Sequence, residues 1–193
     1  MRSLLILYLL FQSVLVWSQD TQFLSEEEKS KEAIRTTRML FKSINRAIQM
    51  GRDQKPMSEA NEEIDRIMNQ FEQGATMEVS KWENGQEIIN KIEMRRYLKN
   101  LYNKAKDKVF KIEFDDPQVD VISKDSYLVR MKFWQKYASK TYEDRTSKGV
   151  VIRFIPLGNN YYEVKIVRVY VLETKPGKST QAKPTKTFPK KGH

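Results

Sequence analysis

The chain has 193 residues, 39% of them hydrophobic and 31% charged, which is enough for one domain with its own core. It has no cysteine and one histidine, His193, which excludes thiolate chemistry and argues against histidine catalysis and metal sites. The formal net charge is +10, but residues 173–193 contribute five of these charges, so no basic domain face for specific nucleic-acid binding is predicted.

The first 18 residues have the pattern of a secretory signal peptide. Arg2 supplies a short positive region, and residues 4–16 form an apolar run broken only by two polar residues. An uncleaved membrane anchor is the alternative, but the run is shorter than the roughly 20 apolar residues of a spanning helix. We expect cleavage after Ser18 and a periplasmic or secreted mature chain.

Two helices are predicted to precede the first strand. The motif SEEE at Ser25 is a capping box, and apolar residues recur at helical spacing over 25–50, with Gly51 as the expected end. Ser58 is the expected N-cap of the second helix and Gly74 its end.

Strand periodicity begins at residue 75 and dominates the second half of the chain. Alternation over 75–82 predicts a strand, Asn84 and Gly85 a tight hairpin, and residues 92–105 a third helix. From residue 108 we predict an antiparallel sheet throughout. Turns are expected at residues 123–125, 142–149 and 158–160.

The pair Asp115 and Asp116 interrupts a predicted strand and is followed by Pro117. Adjacent residues of a strand point to opposite faces, so a carboxylate dyad is disfavoured and a bulge or bend is favoured. The apolar residues also change parity across the pair: Phe110, Ile112 and Phe114 before it, Val119 and Val121 after it.

Six residues are candidates for the lining of a ligand pocket. Gln135 lies between Phe133 and Tyr137 on the apolar face of a strand, where a buried amide needs partners. The alternative places it at the sheet rim, bonded to a turn. Tyr97 and Tyr102 on the third helix are the next two candidates, with core packing as the alternative role.

Arg168 is the sixth candidate. It shares an even-numbered face with Tyr162, Val164 and Ile166, where an arginine could bind an anionic ligand. Alternatively its guanidinium extends to solvent or pairs with a carboxylate. No catalytic residue, metal site or cofactor is predicted.

The stretch FEQGATMEVSKWENGQEIINKIEMRRYLKNLY gives the order helix, strand, hairpin and helix, and a bent strand comes next at FDDP. This order resembles the nuclear transport factor 2-like superfamily, which includes ketosteroid isomerases and polyketide cyclase-like proteins. The resemblance implies an α+β fold in which a curved antiparallel sheet wraps around N-terminal helices as a cone. It covers residues 58–172, preceded by a charged helix and loop at 19–57, and does not by itself define a function.

Residues 173–193 are rich in lysine and proline and are predicted to be a disordered tail. Its lysines could contact an anionic surface weakly, or could serve only solubility. These lysines are Lys175, Lys178, Lys183, Lys186, Lys190 and Lys191.

Two functions remain open at this point. One is an exported, non-enzymatic domain of a bacterial envelope that binds a protein partner or a small apolar ligand, with a homodimer through the sheet face as the resemblance implies. The alternative is a lyase or isomerase with a buried carboxylate as base. A carboxylate in an apolar cavity beside a tyrosine hydroxyl would favour the enzyme.

Overall fold

The structure, a computed structural model, describes residues 24–83, 85–123, 127–158 and 161–177. The predicted signal peptide and the tail beyond Gly177 lie outside these residues. The described part contains three helices and seven strands. In chain order they are α1 (Glu26–Arg52), α2 (Met57–Met68), β1 (Phe71–Glu83), β2 (Gln86–Glu93), α3 (Met94–Asp107), β3 (Phe110–Phe114), β4 (Gln118–Ile122), β5 (Leu128–Ser139), β6 (Glu143–Gly158) and β7 (Tyr161–Pro176).

All seven strands join one curved, open sheet in the order β2-β1-β7-β6-β5-β3, with β4 also paired to β5. The pairs are antiparallel except β1 with β7, which are parallel. The helices contribute buried apolar residues to the same core as the sheet. The predicted class, α+β with a curved sheet around N-terminal helices, is confirmed, with one parallel pair added.

Helix α1 begins at the predicted capping box. The Ser25 hydroxyl accepts a hydrogen bond from the Glu28 N–H at 3.2 Å, and the Glu28 carboxylate accepts one from the Ser25 N–H at 2.9 Å. The predicted end at Gly51 is wrong, because the helix continues to Arg52. A side chain at Gly51 would overlap the Tyr102 carbonyl oxygen, so glycine is needed for the close approach of α1 and α3.

The predicted boundaries of the second helix are also wrong. Helix α2 begins at Met57 after Pro56, and Ser58 does not cap it. Gly74 lies inside β1 rather than at a helix end. Its φ of +77° coincides with an irregularity in the β1–β7 pairing, a position that glycine accommodates at no steric cost.

The two adjacent aspartates mark a bend, as predicted. Asp115 and Asp116 lie between β3 and β4, which both pair with β5. Asp115 forms an ion pair with Arg145 at 2.6 Å, and Asp116 forms one with Arg38 at 3.0 Å. The two carboxylates therefore have separate partners and do not share a proton.

The parity expected after the bend holds for Val119 and fails for Val121. A second irregularity between these residues turns Ile122 toward the core and leaves Val121 exposed. Two other boundaries differ from prediction. Residues 143–149 belong to β6 rather than to a turn, and residues 173–176 belong to β7 rather than to a tail.

Candidate ligand-binding cleft

A cavity of about 370 Å³ lies between α3 and the sheet. One part of its wall is apolar, with side chains from four elements: Val79, Ile92, Leu101, Phe110 and Ile112. The other part carries hydroxyl, amide, carboxylate and amine groups: Ser80, Tyr97, Gln135, Tyr137, Tyr142, Asp144, Thr146 and Lys148. An apolar wall with a few convergent polar groups is the usual composition of a small-molecule site.

The cleft lies where β1 separates from β7. The ladder between these strands ends at Met77 and Val169. Beyond it, β1 continues along β2 to Glu83, whereas β7 continues along β6 to Pro176. Backbone groups on the two separated strands consequently need other partners.

Side chains supply those partners. The Val171 N–H donates to the Glu78 carboxylate at 2.9 Å, and the Lys148 Nζ donates to the Glu78 carbonyl oxygen at 2.6 Å. The hydroxyls of Ser80 and Thr174 form a hydrogen bond of 2.6 Å across the gap. The separated strands are thus held at a fixed distance.

Strand β6 provides the polar groups through simple alternation. Asp144, Thr146 and Lys148 point to the inner face, and each is at least 95% buried. Val150, Ile152 and Phe154 continue the same face into the core. The pairing of β6 with β5 has no irregularity from Ala138–Glu143 to Leu128–Arg153, so one register places both sets.

Lys148 is the most strongly perturbed polar group of this face. Its side chain is only 2% exposed, and its Nζ contacts two uncharged atoms, the Glu78 carbonyl oxygen and, at 3.5 Å, the Met77 sulfur. Burial lowers the pKa of Lys148 to about 8, and the negative charges of Asp144 and Glu78 oppose that shift. The amine is therefore poised between its charged and neutral forms.

Asp144 and Tyr142 form a second perturbed pair. Burial raises the pKa of Asp144, while the Tyr142 hydroxyl, the Lys148 charge and the Thr146 hydroxyl oppose the rise. Burial and the nearby Asp144 carboxylate raise the pKa of Tyr142 to about 12. Burial also raises the pKa of Tyr97 and Tyr137, so the tyrosines of the cleft are neutral donors at neutral pH.

Gln135 carries a buried oxygen that lacks a protein partner. Its side chain is 8% exposed and lines the cleft, and its Oε1 accepts no hydrogen bond from the described residues. Buried acceptors of this kind are rare in folded proteins because an unmade hydrogen bond costs free energy. A bound donor group would satisfy it.

Three of the six sequence-predicted pocket residues line the cleft: Tyr97, Gln135 and Tyr137. Phe133 does not, because its ring packs edge-on against Phe41 and Phe114, at 4.8 and 5.9 Å between centroids. Tyr102 is also a core residue. Its hydroxyl donates to the Lys55 carbonyl oxygen at 2.6 Å, which joins α3 to the loop after α1.

The placement predicted for Arg168 is wrong. Val151 pairs with Arg168 while the next residue, Ile152, pairs with Ile166, so Val167 is an extra residue in β7. This bulge reverses the parity of the strand and turns Val169 inward. Arg168 is therefore exposed, with its guanidinium 5.3 Å from the centre of the Tyr170 ring.

Among the tail lysines, only Lys175 lies in the described residues. It belongs to β7, 3.5 Å from the Glu173 carboxylate and 5.1 Å from the centre of the Trp134 ring. The remaining candidates for anion contact lie outside the described residues: Lys178, Lys183, Lys186, Lys190 and Lys191.

The sequence analysis did not identify four polar cleft residues at the start of β6 or just before it: Tyr142, Asp144, Thr146 and Lys148. The polar composition of residues 142–149 indicated a turn. The even-numbered alternation that leads from Asp144 into Val150, Ile152 and Phe154 could have identified a strand instead.

Within the ranges that the structure describes, no group of three or more acidic, histidine or cysteine side chains is arranged for a metal ion. None of the helices described there has the length and apolar composition to span a membrane.

No family model and no curated protein matches the chain. Among solved structures it is similar to Bd1075 of Bdellovibrio bacteriovorus (15% identity, TM-score 0.37), covering 74% of this chain and about 40% of the length of Bd1075. It is also similar to SalBIII, an epoxide hydrolase/cyclase-like enzyme of salinomycin pyran ring formation (10% identity, TM-score 0.38), covering 77% of this chain and 99% of SalBIII.

A third similar structure is a scytalone dehydratase-like protein of Novosphingobium aromaticivorans (11% identity, TM-score 0.35), covering 79% of this chain and 97% of that protein. The arrangement of helices and curved sheet agrees with the α+β fold that the sequence resemblance implies. At these identities and TM-scores, the similarities say nothing about the activity of this chain.

The burial of Lys148 has a consequence for stability. Because its pKa falls from 10.5 in the unfolded chain to about 8 in the fold, the unfolded state binds more protons between these values, and stability rises with pH across that range. Replacing Lys148 by Met removes the effect. We expect the free energy of unfolding of Lys148→Met to exceed that of the wild type at pH 7. This excess should be larger at pH 7 than at pH 10.5 by on the order of 3 kcal/mol.

Urea denaturation from pH 7 to 10.5 measures this difference. Lys132→Met is the matched control, because Lys132 is exposed on the outer face of the neighbouring strand. The two variants should differ in their pH dependence. If the free energy of unfolding of the two variants had the same pH dependence, burial of Lys148 would not disfavour its charged form.

Proposed function

We propose that this chain binds a small, largely apolar organic ligand that carries a hydrogen-bond donor. The observation that carries the proposal is the unpartnered Oε1 of Gln135 in the wall of the cleft. The donor group of the ligand would meet this oxygen, and the apolar body would lie against Ile92, Leu101 and Ile112.

The size and chemistry of the cleft support a small ligand. Its volume of about 370 Å³ falls within the range of roughly 300–1,000 Å³ that is typical of small-molecule sites. The hydroxyls of Tyr97, Tyr137 and Tyr142 provide further neutral contacts for polar substituents. A ligand of this kind gains from burying its apolar surface and from pairing with the Gln135 oxygen.

A second candidate is a lyase or isomerase that acts in the same cleft. It is favoured by Asp144, a carboxylate that is 5% exposed and lies beside the Tyr142 hydroxyl. Asp144 would remove a proton next to a substrate carbonyl, and a tyrosine hydroxyl would stabilise the developing oxyanion. A base of raised pKa suits proton transfer near neutral pH.

The cellular setting is proposed from the sequence alone. The basic and apolar N-terminal segment supports export with cleavage after Ser18. N-terminal sequencing of the mature protein would test this proposal, and a chain that begins at Met1 would contradict it.

We retain as proposals an envelope partner, a homodimer through the sheet face, and weak contact of the lysine-rich tail with anionic surfaces. Deleting residues 178–193 should abolish salt-sensitive binding to anionic vesicles.

Replacing Gln135 by Leu tests ligand binding. We use 2-naphthol as a fluorescent probe with a donor and 2-methoxynaphthalene as a probe without one. Gln135→Leu should weaken 2-naphthol binding roughly 3- to 10-fold and leave the ether unchanged, because only the phenol donates a hydrogen bond.

Gln118→Leu is the matched control, since Gln118 is exposed on β4 and should have no effect. Absence of saturable binding of either probe to the wild type would contradict the proposed function. An equal loss for both probes would contradict the role of Gln135.

Replacing Asp144 by Asn tests the second candidate. Proton NMR of 2-tetralone in D₂O reports exchange of the hydrogens next to its carbonyl. The wild type should accelerate this exchange, and the acceleration should increase as the pH rises through the raised pKa of Asp144. In Asp144→Asn the acceleration should be at least about 100-fold smaller.

Asp120→Asn, which changes an exposed carboxylate on β4, is the control and should retain full exchange. A wild type that does not accelerate exchange would eliminate the enzyme and leave ligand binding intact.

A further inference from the structure

We propose that Lys148 binds carbonyl ligands covalently: its Nζ condenses with the carbon of an aldehyde or ketone held in the cleft and forms an imine. This inference rests on the proposed ligand-binding function and names its chemical class. It makes the cleft a site for reversible capture of small, largely apolar carbonyl compounds.

The position of Lys148 is the first support. Lys148 belongs to the lining of the cleft and is only 2% exposed, so its amine is shielded from bulk water next to the cavity. The Lys148 Nζ donates a hydrogen bond of 2.6 Å to the Glu78 carbonyl oxygen, and this bond fixes the direction of the lysine side chain. The Met77 sulfur, at 3.5 Å, is a weak acceptor, so the amine is oriented without being neutralised by an adjacent carboxylate contact.

The protonation of the amine is the second support. Only a neutral amine attacks a carbonyl carbon, and burial lowers the pKa of Lys148 to about 8. At neutral pH the neutral fraction is then roughly 300-fold larger than for an ordinary lysine. Lys81 and Lys104 also line the cleft, but both are exposed to solvent.

The condensation balances without any further reactant. The Nζ lone pair attacks the carbonyl carbon, and the π electrons of the C=O bond move to oxygen. One Nζ hydrogen passes to that oxygen and gives a carbinolamine. The second hydrogen leaves with the hydroxyl group as water while the C=N bond forms, and no electron is gained or lost.

Neighbouring groups on the same face of β6 can take part in these proton transfers. Asp144 and Thr146 precede Lys148 at two-residue steps, and both are buried. A carboxyl group of raised pKa holds a proton at higher pH than an exposed aspartate, and it can release that proton toward a departing hydroxyl. The Gln135 oxygen would orient a donor on the body of the ligand.

Reductive trapping tests the inference. Full-length protein is incubated with 2-naphthaldehyde and cyanoborohydride, which reduces an imine to a stable amine. Mass spectrometry of peptides then locates the naphthylmethyl group. We expect Lys148 to be labelled at least tenfold faster than any exposed lysine, and Lys148→Met and Lys148→Arg to lose this fast phase.

The matched control is Lys132→Met, which removes an exposed lysine outside the cleft and should keep the fast phase. Thermal unfolding verifies that each variant is folded. Labelling spread evenly over the exposed lysines of the wild type would overturn the inference, as would a fast phase that survives in both Lys148 variants.

Binding of 2-naphthalenemethanol, which cannot form an imine, separates the two proposals. If this alcohol binds in the cleft and Lys148 is not labelled, the covalent step is wrong and ligand binding stands. If neither the alcohol nor 2-naphthol binds, the proposed function fails as well.

Discussion

The uninterrupted alternation of β6 is the constraint on which the molecule depends. This strand pairs with β5 on one side and β7 on the other over most of its length. Its inner face therefore carries Val150, Ile152 and Phe154 into the core and Lys148 and Asp144 into the cleft with the same register. A one-residue slip would expose the core and turn the polar groups out of the cleft together, so stability and site share one determinant.

Between Asp144 and Pro156, the extra residues in the pairing of β6 with β7 all lie in β7. Val167 and Leu172 are extra residues in β7, and each reverses the parity of the residues after it, so that Ile166, Val169 and Thr174 all point inward. Where β1 diverges from β7, backbone groups lose their partners in the ladder. The side chains of Glu78 and Lys148 form hydrogen bonds with these groups instead. Burying a lysine there costs stability, and such a cost is characteristic of functional sites.

The sequence predicts the fold well, and it predicts three of the residues that line the cleft: Tyr97, Gln135 and Tyr137. Helical spacing identifies the buried face of α3, and the strand alternation around Gln135 places it and Tyr137 inward. Arg168 was misplaced because a bulge at Val167 leaves no mark in an unbroken apolar strand. Lys148 was missed because local composition favours a turn at residues 142–149, whereas pairing with two neighbouring strands makes them β-structure.

The central claim is that Lys148 is a buried amine of unusually low basicity in the wall of the cleft. Nitrogen-15 NMR of the lysine side chains measures this directly, with the Lys148 signal assigned from its loss in Lys148→Met. The account predicts a titration midpoint near pH 8 for this one signal, well below the range of an ordinary exposed lysine. A midpoint that coincides with those of the exposed lysines would contradict it.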